Sequence, residues 1–261
     1  MAYSLIGKDF IPPDVHGKVT GKAKYAEDFK VDGMLHARLL TSPVPHARIV
    51  RLDVSKALQM EGVVAVLTAD DVPSIPNLGN PILTNEPAYV GDPILAIAAT
   101  NEGVAEDALQ AINFDFEPLP FVVDPLTSLR PGGPHARTQG NVGNATMQDD
   151  FRSIHWSNDE MASLINGDLP QGESAREWIV GDLETGFAAA AYTIDESFVT
   201  ASYSHNSMEP RSALAYWENG KCFLYGSSQS QSFPVPALAG YIGIEPENLV
   251  FVAEFCGGGF G

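Results

Sequence analysis

The sequence predicts a mixed α/β (α+β) fold in two domains, and three observations carry that reading. A chain of 261 residues is longer than a single hydrophobic core usually grows, so two domains are expected. Ile94 to Ala99 is apolar on both faces and is followed by a helix and an alternating strand, the strand–helix–strand order of an α/β unit. Asn219-Gly220 stands between two strand-like runs and forms a strong hairpin signal, because both residues tolerate positive φ. An apolar share of 44% with 18% charged residues is ordinary for a folded chain.

Residues 1–15 end in Pro12-Pro13-Asp14, which resists helix, and an extended segment is expected there. Leu35 to Leu40 and Ala47 to Val54 alternate as strands, most simply as a pair with each other. Ser55 to Leu58 supplies a helical turn with Ser55 as a candidate N-cap, and Val63 to Thr68 reads as a buried strand. Thr68 to Pro73 suits a capped turn, and the proline- and glycine-rich run from Pro73 to Pro87 reads as loop. Ile94 to Ala99 is the expected central strand; Thr100-Asn101-Glu102 starts a helix over Val104 to Ala111, and Ile112 to Glu117 is a half-buried strand.

Residues 131–177 hold no lasting period and read as a linker or insertion. Asp182 is the expected N-cap of a short helix through Ala191. Tyr192 to Tyr203, Ser212 to Trp217 and Cys222 to Gly226 read as strands, Ser232 to Ile242 as a helix ending near Gly243, and Asn248 to Ala253 as a strand running into glycines.

Charge and cysteine usage narrow the function. With 33 acidic against 15 basic residues the formal charge is −18, which repels nucleic-acid phosphates and anionic membranes. No nucleic-acid or membrane partner is therefore expected. Cys222 and Cys256 are far apart, with no Cys-x-x-Cys and no histidine at ligand spacing, so a self-contained zinc or iron–sulfur site is excluded. The amino terminus lacks a basic region followed by an apolar run, and no window is long and apolar enough to span a bilayer. A soluble, cytoplasmic protein is the expectation.

The chemistry concentrates after His205. That stretch contains His205-Asn206-Ser207-Met208-Glu209-Pro210, then Gly226-Ser227-Ser228-Gln229-Ser230-Gln231, then Phe255-Cys256-Gly257-Gly258-Gly259-Phe260-Gly261. Glycines without Cβ let a ligand approach backbone N–H groups, the chemistry of an anion or cofactor cradle. Gln229 offers a neutral amide that donates and accepts. On the residues alone it could equally bond backbone at a strand end, and the glycine run could be a plain loop. Glu209, beside Pro210 and Arg211, reads as a structural carboxylate more readily than as an acid–base group. His205 reads either way, and Gln231 is a weaker second candidate.

Taken in order and spacing, these three motifs resemble the molybdenum–pterin-binding large subunit of the xanthine dehydrogenase and aldehyde oxidase family. Gly17 to Phe29, Ser42 to Ile49 and Tyr89 to Pro93 resemble its earlier segments. The resemblance implies an α/β hammerhead domain at 16–126, a linker or insertion at 127–179, and the first part of the molybdopterin-binding domain at 180–261. It implies cofactor contacts from Gln229, Gly258, Gly259, Phe260 and Gly261, with Gln229 near an oxo ligand of the metal and the Phe260 backbone close to the metal group. The cofactor implied is molybdenum–molybdopterin, the cytosine dinucleotide form being one alternative. A 2Fe–2S cluster and FAD are expected on partner chains.

The resemblance also implies what lies elsewhere. In the family the large subunit continues well past this glycine motif and carries the base glutamate there, so no catalytic residue is assigned to this chain. A partner chain with the C-terminal half is expected, and the chain alone is expected to be inactive, whether as a split subunit, a cleavage product or a truncation. The implied reaction is hydroxylation of an aldehyde or aromatic heterocycle with water as oxygen source. A non-catalytic assembly or binding protein of the same fold is the alternative. A phosphate- or nucleotide-binding domain is a weaker one, since the glycine run lacks the Lys-Ser/Thr of a P-loop and the spacing of a dinucleotide fingerprint.

Overall fold

The structure is a computed structural model that describes residues 5–72, 81–124, 134, 159, 178–194, 196, 200, 203–232 and 234–260. The region expected to be a linker or insertion, 127–179, lies almost wholly outside the described residues. In chain order the helices are α1 (Val15–Val19), α2 (Ser55–Leu58), α3 (Glu102–Gln110), α4 (Leu183–Ala189) and α5 (Pro234–Ile242). The strands are β1 (His36–Thr41), β2 (Ala47–Asp53), β3 (Val63–Leu67), β4 (Pro93–Ala99), β5 (Asn113–Pro118), β6 (Ala213–Glu218), β7 (Lys221–Gly226) and β8 (Leu249–Val252). Packing divides the chain into two compact units: Leu35–Thr200, and Met1–Met34 together with Ala201–Gly261.

In the unit Leu35–Thr200, β4 is central, with β1 and β3 antiparallel on either side. Its apolar residues on both faces explain the position: Ile94, Leu95, Ile97 and Ala99 have no exposed surface. Leu95 and Ile97 join Ala57, Ala108 and Ile112 in one core, and the small alanines of α2 and α3 let the helices come close to the sheet. Helix α3 begins where expected, because the Asn101 side chain accepts from the Val104 N–H at 2.9 Å. Gly62 has φ +90°, and a Cβ there would meet Thr100 Oγ1 at 2.8 Å, so the turn into β3 needs glycine. The Thr68 to Asp71 turn is closed as its sequence indicates, with the Asp71 carboxylate accepting from Thr68 N–H and Oγ at 2.8 Å.

Three local expectations for this unit change. β1 and β2 do not pair: β2 pairs antiparallel with β5 instead. Pro43 and Pro45 rule out a tight hairpin between them, and Ser42 bonds backbone to Gly91 and Asp92 at the start of β4. Ser55 is not a cap; Val54 occupies the N-cap position, and Asp53 accepts from the Ser55 N–H at 3.0 Å. β3 lies at a sheet edge and is only partly buried, with Val64 55% exposed. A further expectation, the strand from Tyr192 to Tyr203, fails for the described residues of that run, which carry no strand. Asp182 does cap α4, accepting from Thr185 N–H at 3.0 Å, though the helix stops at Ala189.

The other unit is built on a sheet in the order β6-β7-β8. β6 and β7 form a hairpin turned at Asn219 (φ 50°) and Gly220 (φ 77°), as the Asn-Gly pair predicts. β8 is parallel to β7, reached through α5, which ends at Gly243 (φ 72°). Cys222, Ala239 and Leu249 are the buried residues where α5 meets the sheet, with Leu224, Val235, Leu238 and Ile244 packed around them. Phe29 of the amino-terminal arm packs on Tyr225, their ring centroids 4.6 Å apart.

Among the described residues no helix is long and apolar enough to cross a membrane. Ile97→Ala is expected to lower the unfolding free energy by about 2–5 kcal/mol, since it opens a cavity in a dry core. Val64→Ala at the exposed edge should change it by less than about 0.5 kcal/mol. Denaturant titration of the two variants checks this; equal losses would contradict the central-strand assignment.

Candidate functional site

The parallel pairing of β7 and β8 determines where the motifs meet. Cys222 lies beside Leu249 and Tyr225 beside Val252, so both strands finish on the same edge of the sheet. The chain leaving β7 carries Ser227 to Gln231, and the chain leaving β8 carries Phe255 to Phe260. Loops at the carboxyl ends of parallel strands joined by a helix are where α/β units commonly hold ligands.

The two loops touch. A Cβ at Gly259 would collide with the Gln229 side chain, reaching Cγ at 2.6 Å and its amide group closer still. The Gln229 amide thus lies over the Gly259 backbone, and it has no hydrogen-bond partner among the described residues. Together with Arg211, Ser227, Ser228, Ser230 and Cys256, the Gln229 and glycine segments line a cavity of about 360 Å³. Ser227 Oγ and Cys256 Sγ are 3.4 Å apart, linking the two loops again.

The glycine loop takes positive φ at two of its described residues. Gly258 has φ +124° and Phe260 φ +55°, with Gly259 between them outside the positive-φ region. The N–H groups of Gly258, Gly259 and Phe260 have no partner among the described residues, whereas that of Gly257 donates to Glu209 at 2.6 Å. Phe260 holds a left-handed conformation that a bulky residue rarely adopts, its ring 71% exposed and roughly parallel to His205 at 6.5 Å.

Of the residues the sequence singles out, Gln229, Gly258, Gly259 and Phe260 therefore come together, and Gly261 lies outside the described residues. Gln231 is drawn aside: Ser228 Oγ closes a turn onto Ser230, and Gln231 Nε2 donates to the Ala253 carbonyl at 3.4 Å. Two contacts are absent from the sequence reading. Ser207 Oγ donates to the Gly258 carbonyl at 2.8 Å, and Arg211 lines the cavity without an ion pair among the described residues. Their only sequence signal is membership of the segment around Glu209. No group of three or more histidine, cysteine or acidic residues could hold a metal among the described residues.

Residues 20–120 match the family model described as the aldehyde oxidase and xanthine dehydrogenase a/b hammerhead domain, and residues 166–261 match the molybdopterin cofactor-binding domain. The chain belongs to the xanthine dehydrogenase and aldehyde oxidase family. Within that family it is 32% identical to a probable xanthine dehydrogenase subunit of Bacillus subtilis (strain 168), over 96% of this chain and 31% of the relative. It is 28% identical to the nicotinate dehydrogenase large molybdopterin subunit of Eubacterium barkeri, over 99% of this chain and 56% of the relative. Among solved structures it resembles quinoline 2-oxidoreductase from Pseudomonas putida 86, with a TM-score of 0.74 and 26% identity over 98% of this chain and 31% of that one. The chain thus spans from under a third to just over half the length of these relatives.

The described residues fit a pterin group of the kind the family model names. Three consecutive N–H groups without a partner among the described residues suit an anionic oxygen-rich ligand, and the neutral Gln229 amide lies against Gly259, the middle one. A Cβ at Gly258 would meet the Phe260 ring at 2.8 Å and Ser207 Cβ at 3.4 Å, so the close packing of that ring and of Ser207 against the loop requires glycine there.

Burial pushes the Cys222 thiol above its ordinary pKa. Cys222 should therefore resist iodoacetamide in the folded protein and react only on unfolding. Peptide mapping checks this, and rapid native labelling would contradict the packing of β7 against α5.

Proposed function

We propose that this chain forms one wall of the molybdenum–pterin site of a hydroxylase acting on an aldehyde or an aromatic heterocycle, with water as oxygen source. The observation that carries the reading is the contact of Gln229 with Gly259 beside the unpaired N–H groups of Gly258 to Phe260. When bound, the molybdenum–pterin group supplies the oxidation chemistry. This chain's residues bind and orient it: the N–H groups of Gly258, Gly259 and Phe260 donate to its anionic oxygens, and the Gln229 amide donates to an oxygen near the metal. Gly261 completes the cradle in this reading. No catalytic base is assigned to this chain, and the cytosine dinucleotide form of the pterin remains one alternative.

Partner chains follow from the same reading. The rest of a large subunit would close the site, a 2Fe–2S subunit and an FAD subunit would carry electrons away, and the complex would be cytoplasmic. Tyr203, Met208 and Phe260 support this, since each exposes most of a large apolar side chain. The names of relatives such as the 6-hydroxypseudooxynicotine dehydrogenase complex subunit gamma support a multi-subunit setting. The division into a hammerhead domain at 16–126, a linker at 127–179 and a cofactor-binding part at 180–261 belongs to the proposal. In packing, the first residues of the hammerhead match go with the cofactor-binding part.

In the purified native complex, Gly259→Val should abolish molybdenum and pterin retention, because its side chain would occupy the place of Gln229. Gln229→Ala should keep the cofactor yet lower turnover on the order of 10²-fold, the usual cost of one preorganised donor. Metal analysis and steady-state rates check both; full molybdenum content in Gly259→Val would overturn the assignment.

A further inference from the structure

Glu209 is the one acidic residue of this unit buried among its described residues, only 8% exposed, and no cation pairs with it there. A carboxylate is costly to bury unless its oxygens are hydrogen-bonded. Here two backbone amides serve: Gly257 N–H donates to Oε2 at 2.6 Å, and Ala26 N–H lies 3.4 Å from Oε1. The fit is close, since a Cβ on Gly257 would collide with Glu209 Cβ and come within 2.9 Å of Oε2. The same arm holds Phe255, just before the glycines. A Cβ on Gly17 would sit 3.1 Å from its ring, and the Tyr25 ring is 6.1 Å away between centroids.

We infer that Glu209 is a positioning residue: with the amino-terminal arm it clasps the start of the glycine loop and so aligns the next three N–H groups for the cofactor. By engaging the Gly257 N–H, the carboxylate fixes where the cradle begins, and those of Gly258, Gly259 and Phe260 are left for an incoming anionic group. Ser207, two residues before Glu209, holds the following peptide through the Gly258 carbonyl, so one short segment fixes two adjacent points of the loop. The arm of residues 17–26 is in this account a working part of the cofactor-binding unit. The inference rests on the molybdenum–pterin reading given above.

The test uses the native complex carrying Glu209→Gln, in which one acceptor oxygen becomes an NH2 group that faces an N–H donor. Glu254→Gln, an equal charge change at an exposed position of the same loop, is the control. Hydrogen exchange of the peptides containing Ala26 and Gly257 should speed up about tenfold in Glu209→Gln, and pterin retained after dialysis should fall about tenfold, with neither changed in the control. Gly257→Ala, which disturbs the same contact from the backbone side, should reproduce both effects and decides the matter if Glu209→Gln fails to assemble. Unchanged exchange and full pterin in these variants, beside a wild type that holds pterin, would overturn this inference alone. A wild-type complex that holds no pterin would overturn the underlying reading and this inference with it.

Discussion

The parallel pairing of β7 with β8 is the constraint on which the rest of the site depends. Parallel neighbours need a crossover, here α5, and the crossover brings the chain back so that both strands end on one edge. Residues far apart in sequence, Gln229 and Gly259, then lie in contact without any bond between them. The register is held from within by Cys222, Ala239 and Leu249, whose burial is possible because alanine at the helix surface lets α5 approach the sheet. A shift of β8 by one residue would turn Leu249 outward and separate the two loops.

The chemistry at that edge is short-ranged. The chain carries a formal charge of −18, so its overall field opposes an anionic ligand rather than attracting one. What would favour such a ligand is local: backbone N–H groups without a partner among the described residues, a neutral carboxamide, and Arg211, the one cation among the described residues that line the cavity. The backbone at Phe260 is strained, and strain persists only where neighbours over-determine it. Glu209 and Ser207 hold the preceding Gly257 and Gly258, and Phe255 before them packs near Tyr25.

Local chemistry was legible in the sequence. Asn101, Asp182 and Asn219-Gly220 act as their side chains and φ preferences require, and the apolar run Ile94 to Ala99 is the central strand, as expected. The candidate site was legible as a set of residues through its resemblance to a known family. Pairings that bridge long stretches were not legible: nothing in the alternation of β1 and β2 says that their partners are β4 and β5. Nor could periodicity separate an edge strand from a buried one at Val63 to Leu67, since the run is apolar in either place. The arm was harder still. Residues 17–29 resemble the opening of a hammerhead domain, and only packing reveals that Tyr25 and Phe29 lie against Phe255 and Tyr225.

In the proposed function the carboxyl edge of the β7–β8 pair receives a metal-bearing pterin. Anomalous diffraction from crystals of the native complex, recorded on both sides of the molybdenum absorption edge, tests it most directly. One strong peak is expected beside the Gln229 amide and the Phe260 backbone. A peak elsewhere in the complex, with this edge bare or covered by protein alone, would contradict it.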